Sequence, residues 1–173
     1  MSELEIEIKA YCSDMNSVKD ILKDIGAEFI KECVEKDIYF NHPGRDFGET
    51  DEALRLRDVS GQTTLTYKGS KLSRKSKARV EEETIVVDFE SMKTILINLG
   101  FTDSGNVEKK REYFKFDGIE ICLDRVKSLG DFVELEIKGV DIESTEKKLY
   151  ELAEKLGLKK FETRSYLELL YYS

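Results

Sequence analysis

The sequence predicts an α+β domain in which one antiparallel sheet closes on itself as a β-barrel, with a charged lumen and helices packed on the outside. Three observations predict it: strands in which charged and aliphatic residues alternate strictly, charges of both signs gathered on one face of those strands, and an internal repeat. The alternation begins at residues 3–9. Successive side chains of a strand point to opposite faces, so Glu5, Glu7 and Lys9 project one way while Leu4, Ile6 and Ile8 project the other. Alone, such a strand is an ordinary amphipathic one with its charges in water. Its recurrence along the chain is what argues for a charged interior.

The first strand runs to about Cys12. Ser13-Asp14 then offers an N-cap to an amphipathic helix with Val18, Ile21, Leu22 and Ile25 on one face, closed by Gly26. A long strand follows over about 28–40. Residues 41–52 contain Pro43 and no hydrophobic period, which reads as a loop, with His42 a turn residue rather than a general base. Residues 53–57 and 64–69 alternate again about Ser60-Gly61 and form a hairpin. The segment 70–77 carries Lys71, Arg74, Lys75 and Lys77 without apolar partners and reads as a mobile basic loop, either solvated or a flexible clamp for a phosphate tail. A fifth strand over 79–87 leads into a helix capped at Asp88 and closed at Gly100, with Met92, Ile95, Leu96 and Leu99 on its apolar face. Strands over about 109–116, 119–124 and 132–138 precede two helical stretches at 144–156 and 163–171.

Sliding the chain so that Ser17 falls on Ser91 aligns residues 17–40 with 91–114 without a gap. Ile21-Leu22 then meets Ile95-Leu96, Gly26 meets Gly100, and Tyr39-Phe40 meets Tyr113-Phe114. The same offset sets 5–9 on 79–83. Strand-helix-strand thus occurs twice, and the chain reads as a single domain, 1–173, of two pseudo-repeat halves at about 1–74 and 75–173.

Composition limits the functions open to such a domain. With 173 residues, 40% of them hydrophobic and 37% charged, the chain is long enough for a real core. It has no apolar run near the roughly 18 residues that a bilayer span needs, and its acidic start lacks the features of a signal peptide, so a soluble, cytoplasmic protein with no membrane partner is expected. Cys12, Cys33 and Cys122 are too few and too scattered for a disulfide framework, and a single histidine argues against zinc. A formal net charge of −8 argues against nucleic acid as a partner.

Sorted by strand parity, the face shared with Glu5, Glu7 and Lys9 carries Arg55, Arg57 and Lys68 of the hairpin and Arg79, Glu81 and Glu83 of the fifth strand. The second half adds Lys109, Arg111, Glu120, Asp124, Glu134, Glu136 and Lys138. The opposite face is mainly aliphatic. This inside-out pattern is that of a barrel with a polar lumen. Eight bases and eight acids on one face would be costly if they only paired with one another. A metal-chelated triphosphate would satisfy both, its phosphate oxygens on the bases and its cation on the carboxylates. The alternative is a sheet bearing solvated salt-bridge ladders.

These residues resemble the CYTH, or triphosphate-tunnel, proteins, which include class IV adenylate cyclases, thiamine triphosphatases and inorganic triphosphatases. The motifs are Glu5-Ile6-Glu7-Ile8-Lys9, Arg55-x-Arg57, Thr66-Tyr67-Lys68-Gly69, Arg79-x-Glu81-x-Glu83, Lys109-x-Arg111 and the run from Leu129-Gly130 through Glu134 and Glu136, in the family's order, with Thr163-Arg164-Ser165-Tyr166 near the end. The resemblance spans essentially the whole chain. It implies an eight-stranded antiparallel tunnel in which Lys9, Arg55, Arg57, Lys68, Arg79, Lys109 and Arg111 hold the triphosphate. Glu5, Glu7, Glu134 and Glu136 would hold magnesium or manganese, two ions per site, with Asp124, Glu81 and Glu83 as further ligands or orienters. Glu5, Glu7, Lys9 and Asp124 would form the catalytic set.

The class IV cyclase branch is the nearest in likeness. Its members that look active carry a His-Phe pair just before the first motif, where this chain has Met1-Ser2-Glu3-Leu4. Three readings stay open: cyclisation of ATP, hydrolysis of tripolyphosphate, thiamine triphosphate or a nucleotide, and non-catalytic polyphosphate binding. An exposed outer strand could also pair two copies as a homodimer.

Overall fold

Alternation does produce the sheet. The computed structural model describes residues 3–172, and in it the strands β1 (Leu4–Tyr11), β2 (Glu28–Asn41), β3 (Ala53–Val59), β4 (Gln62–Lys68), β5 (Glu81–Val86), β6 (Thr102–Phe116), β7 (Ile119–Val126) and β8 (Gly130–Gly139) form one eight-stranded sheet. Every pairing is antiparallel, in the order β1-β8-β7-β6-β2-β3-β4-β5. The sheet curls until its edges approach, but the join is made by the segment just before β5 rather than by β5 itself. Glu5 N donates to Arg79 O at 3.2 Å, Arg79 N to Glu5 O at 3.1 Å and Lys77 N to Glu7 O at 2.8 Å.

Among the described residues, the helices α1 (Met15–Asp24), α2 (Phe47–Thr50), α3 (Phe89–Asn98) and α4 (Ile142–Lys155) are each capped by an aspartate and α5 (Tyr166–Tyr171) by a serine. Asp14, Asp88 and Asp141 each accept a backbone N–H three residues on, satisfying a donor that the helix leaves free. Ser165 and Glu168 form a capping box.

The apolar faces pack outward, as the parity requires. Ile6, Ile8, Ile121, Leu123, Val133 and Leu135 lie against Val18 and Leu22 of α1 and Leu149, Leu152 and Ala153 of α4. Burial of each Leu, Ile or Val is worth about 1.5–3 kcal/mol. A second cluster joins Phe40, Leu54 and Leu56 to Phe47 and Leu96. Here the helix face differs from the expected one. Phe89, Met92 and Leu96 turn inward at helical spacing, which leaves Ile95 50% and Leu99 65% exposed on the flank.

Other segments depart from the sequence reading for local reasons. The loop 41–52 contains the short α2, too brief to show a period, started by Asp46 accepting Gly48 N at 2.9 Å. β6 starts at Thr102 rather than near 109 because its polar first half pairs with the long β2. The basic loop is tied rather than free. Lys71 pairs with Asp51 at 3.1 Å, Ser76 Oγ donates to Glu146 of α4 at 2.6 Å, and Ser73 donates to the same oxygen. The last helix starts at Tyr166, not Thr163, and it lies against β6 at Gly105. A Cβ there would stand 2.7 Å from both Leu167 and Tyr171, so only glycine permits the approach that fixes Tyr166 over the lumen wall.

His42 is a turn residue, its Nδ1 accepting from Gly44 N at 2.9 Å, and all three cysteines are free. No helix among the described residues is long and apolar enough to cross a membrane.

Candidate active site

The concave face encloses a cavity of about 1310 Å³. Glu5, Glu7, Lys9, Arg55, Arg57, Lys68, Arg79, Glu81, Glu83, Lys109, Arg111, Glu134 and Glu136 all line it, as do Glu120 and Lys138. Asp124, expected in the catalytic set, does not. It shares their parity but lies beneath the wall, fully buried, its oxygens taken by Arg111 Nε and Nη2 at 2.6 Å and by the Tyr166 hydroxyl at 2.6 Å. Fully buried behind Arg111 and Tyr166, it holds Arg111 in place instead of facing the cavity.

The lining divides by what its charges already meet. On the β2–β3–β6 side, Arg57 forms a fork to Asp37 at 2.7 and 2.8 Å and reaches Glu35 at 3.1 Å; Lys109 lies 3.3 Å from Glu35 and 3.5 Å from Asp37. Arg111 bonds Glu134 at 2.6 Å. Burial alone would raise the Glu35 carboxyl, but Arg111, Lys109 and Arg57 bring it down to about 2. Burial is likewise outweighed at Asp37, which Lys109 and Arg57 hold well below the usual range. On this side acids and bases answer one another: even Glu35 Oε1, which accepts no hydrogen bond, has Arg57, Lys109 and Arg111 at 3.1, 3.3 and 3.7 Å.

The other side leaves donors unanswered. The buried Nε atoms of Arg55 and Arg79 have no hydrogen-bond partner, and the Nη2 atoms of the two guanidinium groups lie 3.6 Å from Glu83 and 3.9 Å from Asp51. Lys68 lies 2.9 Å from Glu81 and 3.5 Å from Glu5; its burial and Arg55 would lower it, but Glu81, Glu5 and Glu7 push it up to about 12. Phosphate oxygens would satisfy the orphaned guanidinium donors.

Beside these bases the acids converge. One carboxylate oxygen each from Glu5, Glu7 and Glu136 lies within 4.8 Å of the others, because β1 and β8 pair Glu7 with Glu136 directly. Glu134, expected among the ligands, is instead bound to Arg111. Three hard oxygen donors at this spacing suit magnesium or manganese. Burial, with the charges of Glu5 and Glu7, pushes Glu136 well above the usual carboxylate range. Burial, the hydrogen bond to Glu81 and the charges of Glu81 and Glu7 raise Glu5 from 4.5 to about 7 against the pull of Lys68.

A dependence on pH follows. Folded Glu5 retains its proton above 4.5, where the unfolded carboxyl releases it, up to about 7. The stability it contributes is therefore complete below pH 4.5 and lost as pH rises through 7. Thermal melts in chelator are expected to show a midpoint that falls across this window, while manganese binds more tightly as pH rises through it. A rising midpoint, with affinity for manganese independent of pH, would contradict the assignment.

Sequence reading missed Glu35, Asp37 and Tyr113, and placed Lys77 only within a basic loop, solvated or a phosphate clamp, and Tyr166 only within the terminal motif. Glu35 and Asp37 carried a signal, the alternation Glu35-x-Asp37-x-Tyr39. It was masked because the outer face of β2 mixes Glu32 and Lys36 with Val34. Tyr113 donates to Glu35, and Tyr166 stacks its ring under Lys9 Nζ at 4.0 Å. Burial and the charge of Lys77 hold the Lys9 amine well below its ordinary value.

Residues 3–166 match the family model described as the CYTH domain. A Methanocaldococcus jannaschii protein named as a candidate adenylate cyclase is 45% identical over 151 residues, which is 87% of this chain and 86% of the relative. Adenylate cyclase CyaB of Aeromonas hydrophila is 27% identical over 170 residues, 94% of this chain and 86% of that one. Among solved structures, a Pyrococcus horikoshii protein superposes with a TM-score of 0.89 at 39% identity, covering 96% of this chain and 97% of its own.

Proposed function

The chain belongs to the CYTH domain family, and from that premise we propose that it is a metal-dependent enzyme acting on triphosphates, class IV adenylate cyclase-like, converting ATP to cyclic AMP and pyrophosphate. One observation carries the reading: the carboxylates of Glu5, Glu7 and Glu136 converge beside the buried Nε donors of Arg55 and Arg79, which no group among the described residues satisfies. The names of the two relatives support the cyclase label.

Arg55, Lys68 and Arg79 bind the triphosphate and neutralise the charge that builds on the leaving pyrophosphate, with Lys9 and Lys109 flanking them. Magnesium or manganese, held by Glu5, Glu7 and Glu136, would supply Lewis-acid polarisation of phosphate oxygens and a lowered pKa for the attacking hydroxyl. Asp124 and Glu134 orient Arg111, and the Glu35–Asp37–Arg57 pairs keep that wall rigid. In cyclisation the ribose 3′-oxygen bonds to the α-phosphorus as the bond to the bridging α–β oxygen breaks. No side-chain nucleophile is required.

A second reading, triphosphate hydrolysis, is favoured by what the lumen recognises. Its open donors read a phosphate tail and its converging acids a cation, and where the family carries its His-Phe pair this chain has Met1-Ser2-Glu3-Leu4, of which Met1 and Ser2 lie outside the described residues. Cyclisation needs the 3′-hydroxyl held in line, a stricter demand than placing a water. Phosphorus NMR of products from ATP and from tripolyphosphate, each with magnesium and with manganese, tests this. Cyclic AMP with pyrophosphate is the expected result. Orthophosphate from both substrates would establish hydrolysis instead, and binding without turnover would leave only a polyphosphate-binding module.

A further inference from the structure

Lys77 stands outside the charged set that alternation identifies, because it ends a loop instead of occupying a strand. Yet it lines the same cavity as Arg55, Lys68 and Arg79, and its Nζ lies 3.2 Å from Glu7 Oε1. Its backbone is pinned from both sides. Lys77 N donates to Glu7 O at 2.8 Å, and Leu72 N to Ala78 O at 2.7 Å closes the loop. Behind it, Glu146 of α4, only 8% exposed, accepts from Ser76 and Ser73, and Tyr150 donates to the carbonyl of Lys75. The main chain is held, so the freedom left to Lys77 is the rotation of its four-carbon stem.

Glu7 has Lys77 as its ion-pair partner and is itself one of the three converging carboxylates. A divalent cation taking Glu7 would place two positive groups on one carboxylate, and the ammonium would be repelled. Glu134, the other acid whose charge reaches Lys77, is already held by Arg111 at 2.6 Å, so within a low-dielectric lumen the displaced ammonium would need a further anion. The triphosphate that shares the cavity supplies one. We propose that Lys77 is an exchangeable counter-ion, neutralising Glu7 until a divalent cation takes that carboxylate and then binding the triphosphate, so that cation and phosphate binding are coupled through this side chain. The proposal rests on the metal–triphosphate reading of the lumen.

Manganese binding, followed by the paramagnetic resonance of the free ion, and tripolyphosphate binding at saturating manganese separate the two ideas. Lys77→Met is expected to bind manganese more tightly alone and tripolyphosphate less tightly with the metal, each by about tenfold, the scale of one hydrogen bond to a charged group. Lys77→Arg, which keeps the charge, is expected to restore both toward the parent. A purely structural lysine would weaken both or neither. Unchanged or weaker manganese binding by Lys77→Met, or unchanged tripolyphosphate binding, would overturn the proposal while leaving the reading of the lumen intact. Parent protein that binds neither manganese nor tripolyphosphate would overturn that reading and the proposal with it.

Discussion

Glu136→Gln is expected to lose turnover by about a hundredfold or more, since even partners one shell removed from a metal change its affinity or activity by 10–100-fold. The same substitution is expected to leave the protein in chelator melting no lower than the parent. Both expectations come from one geometry. β8 sits between β1 and β7, so Glu136 faces Glu7 on one side and Glu120 on the other, a row of three acids where like charges oppose directly. Burial and that row already push Glu136 above the usual carboxylate range, so a neutral amide of the same shape costs the metal-free fold little. What it does remove is one of three converging hard ligands. Manganese at a hundred times its dissociation constant would stabilise the parent by about 2.7 kcal/mol, and most of that shift should vanish in the variant. Full turnover together with the parent's manganese-induced shift would show that Glu136 holds no metal.

The row of acids was legible because β1 and β8 each carry an aliphatic face opposite a charged one, so parity alone puts Glu7 and Glu136 inside. The same logic found the lumen face of β3 and β4. It failed where alternation has only one readable face, as on β2, whose outer residues Glu32, Val34 and Lys36 are mixed and exposed or nearly so. It also says which face a residue takes, never how deep it lies. Asp124 and Glu120 share a face of β7, but Tyr166 and Arg111 cover the first and leave the second lining the cavity. Lys77 had no period to betray it, because a loop fixed by Glu146, some seventy residues away, delivers it. The start of β6 is likewise held as strand by β2 and not by its own Thr-Asp-Ser-Gly-Asn residues.

Depth also divides the arginines that alternation treats as equals. Arg57→Ala is expected to lower stability by about 3–5 kcal/mol, the cost of stripping one partner from a buried pair. For a domain of this size that is a fall in melting temperature of about 6–20 °C. Its guanidinium forks onto Asp37, whose side chain is fully buried, and reaches Glu35; without it Asp37 keeps only Lys109, at 3.5 Å. Relief of repulsion from Arg55 and Arg111 does not offset this, because Arg57 touches Asp37 and Glu35 directly. Arg55 differs. Its Nη2 donates to Thr66 at 3.3 Å, its Nε has no partner, and its nearest acid, Glu83, is half exposed. Arg55→Ala therefore strands no buried charge and is expected to melt close to the parent. It should bind tripolyphosphate more weakly by roughly 1.5–3 kcal/mol, a loss of about 10–150-fold. Calorimetry of tripolyphosphate binding beside thermal melts of the two variants reads both effects. Arg57→Ala melting with the parent, or Arg55→Ala binding with undiminished affinity, would show that the two sides of the lumen do not divide the work between holding the wall and holding the ligand.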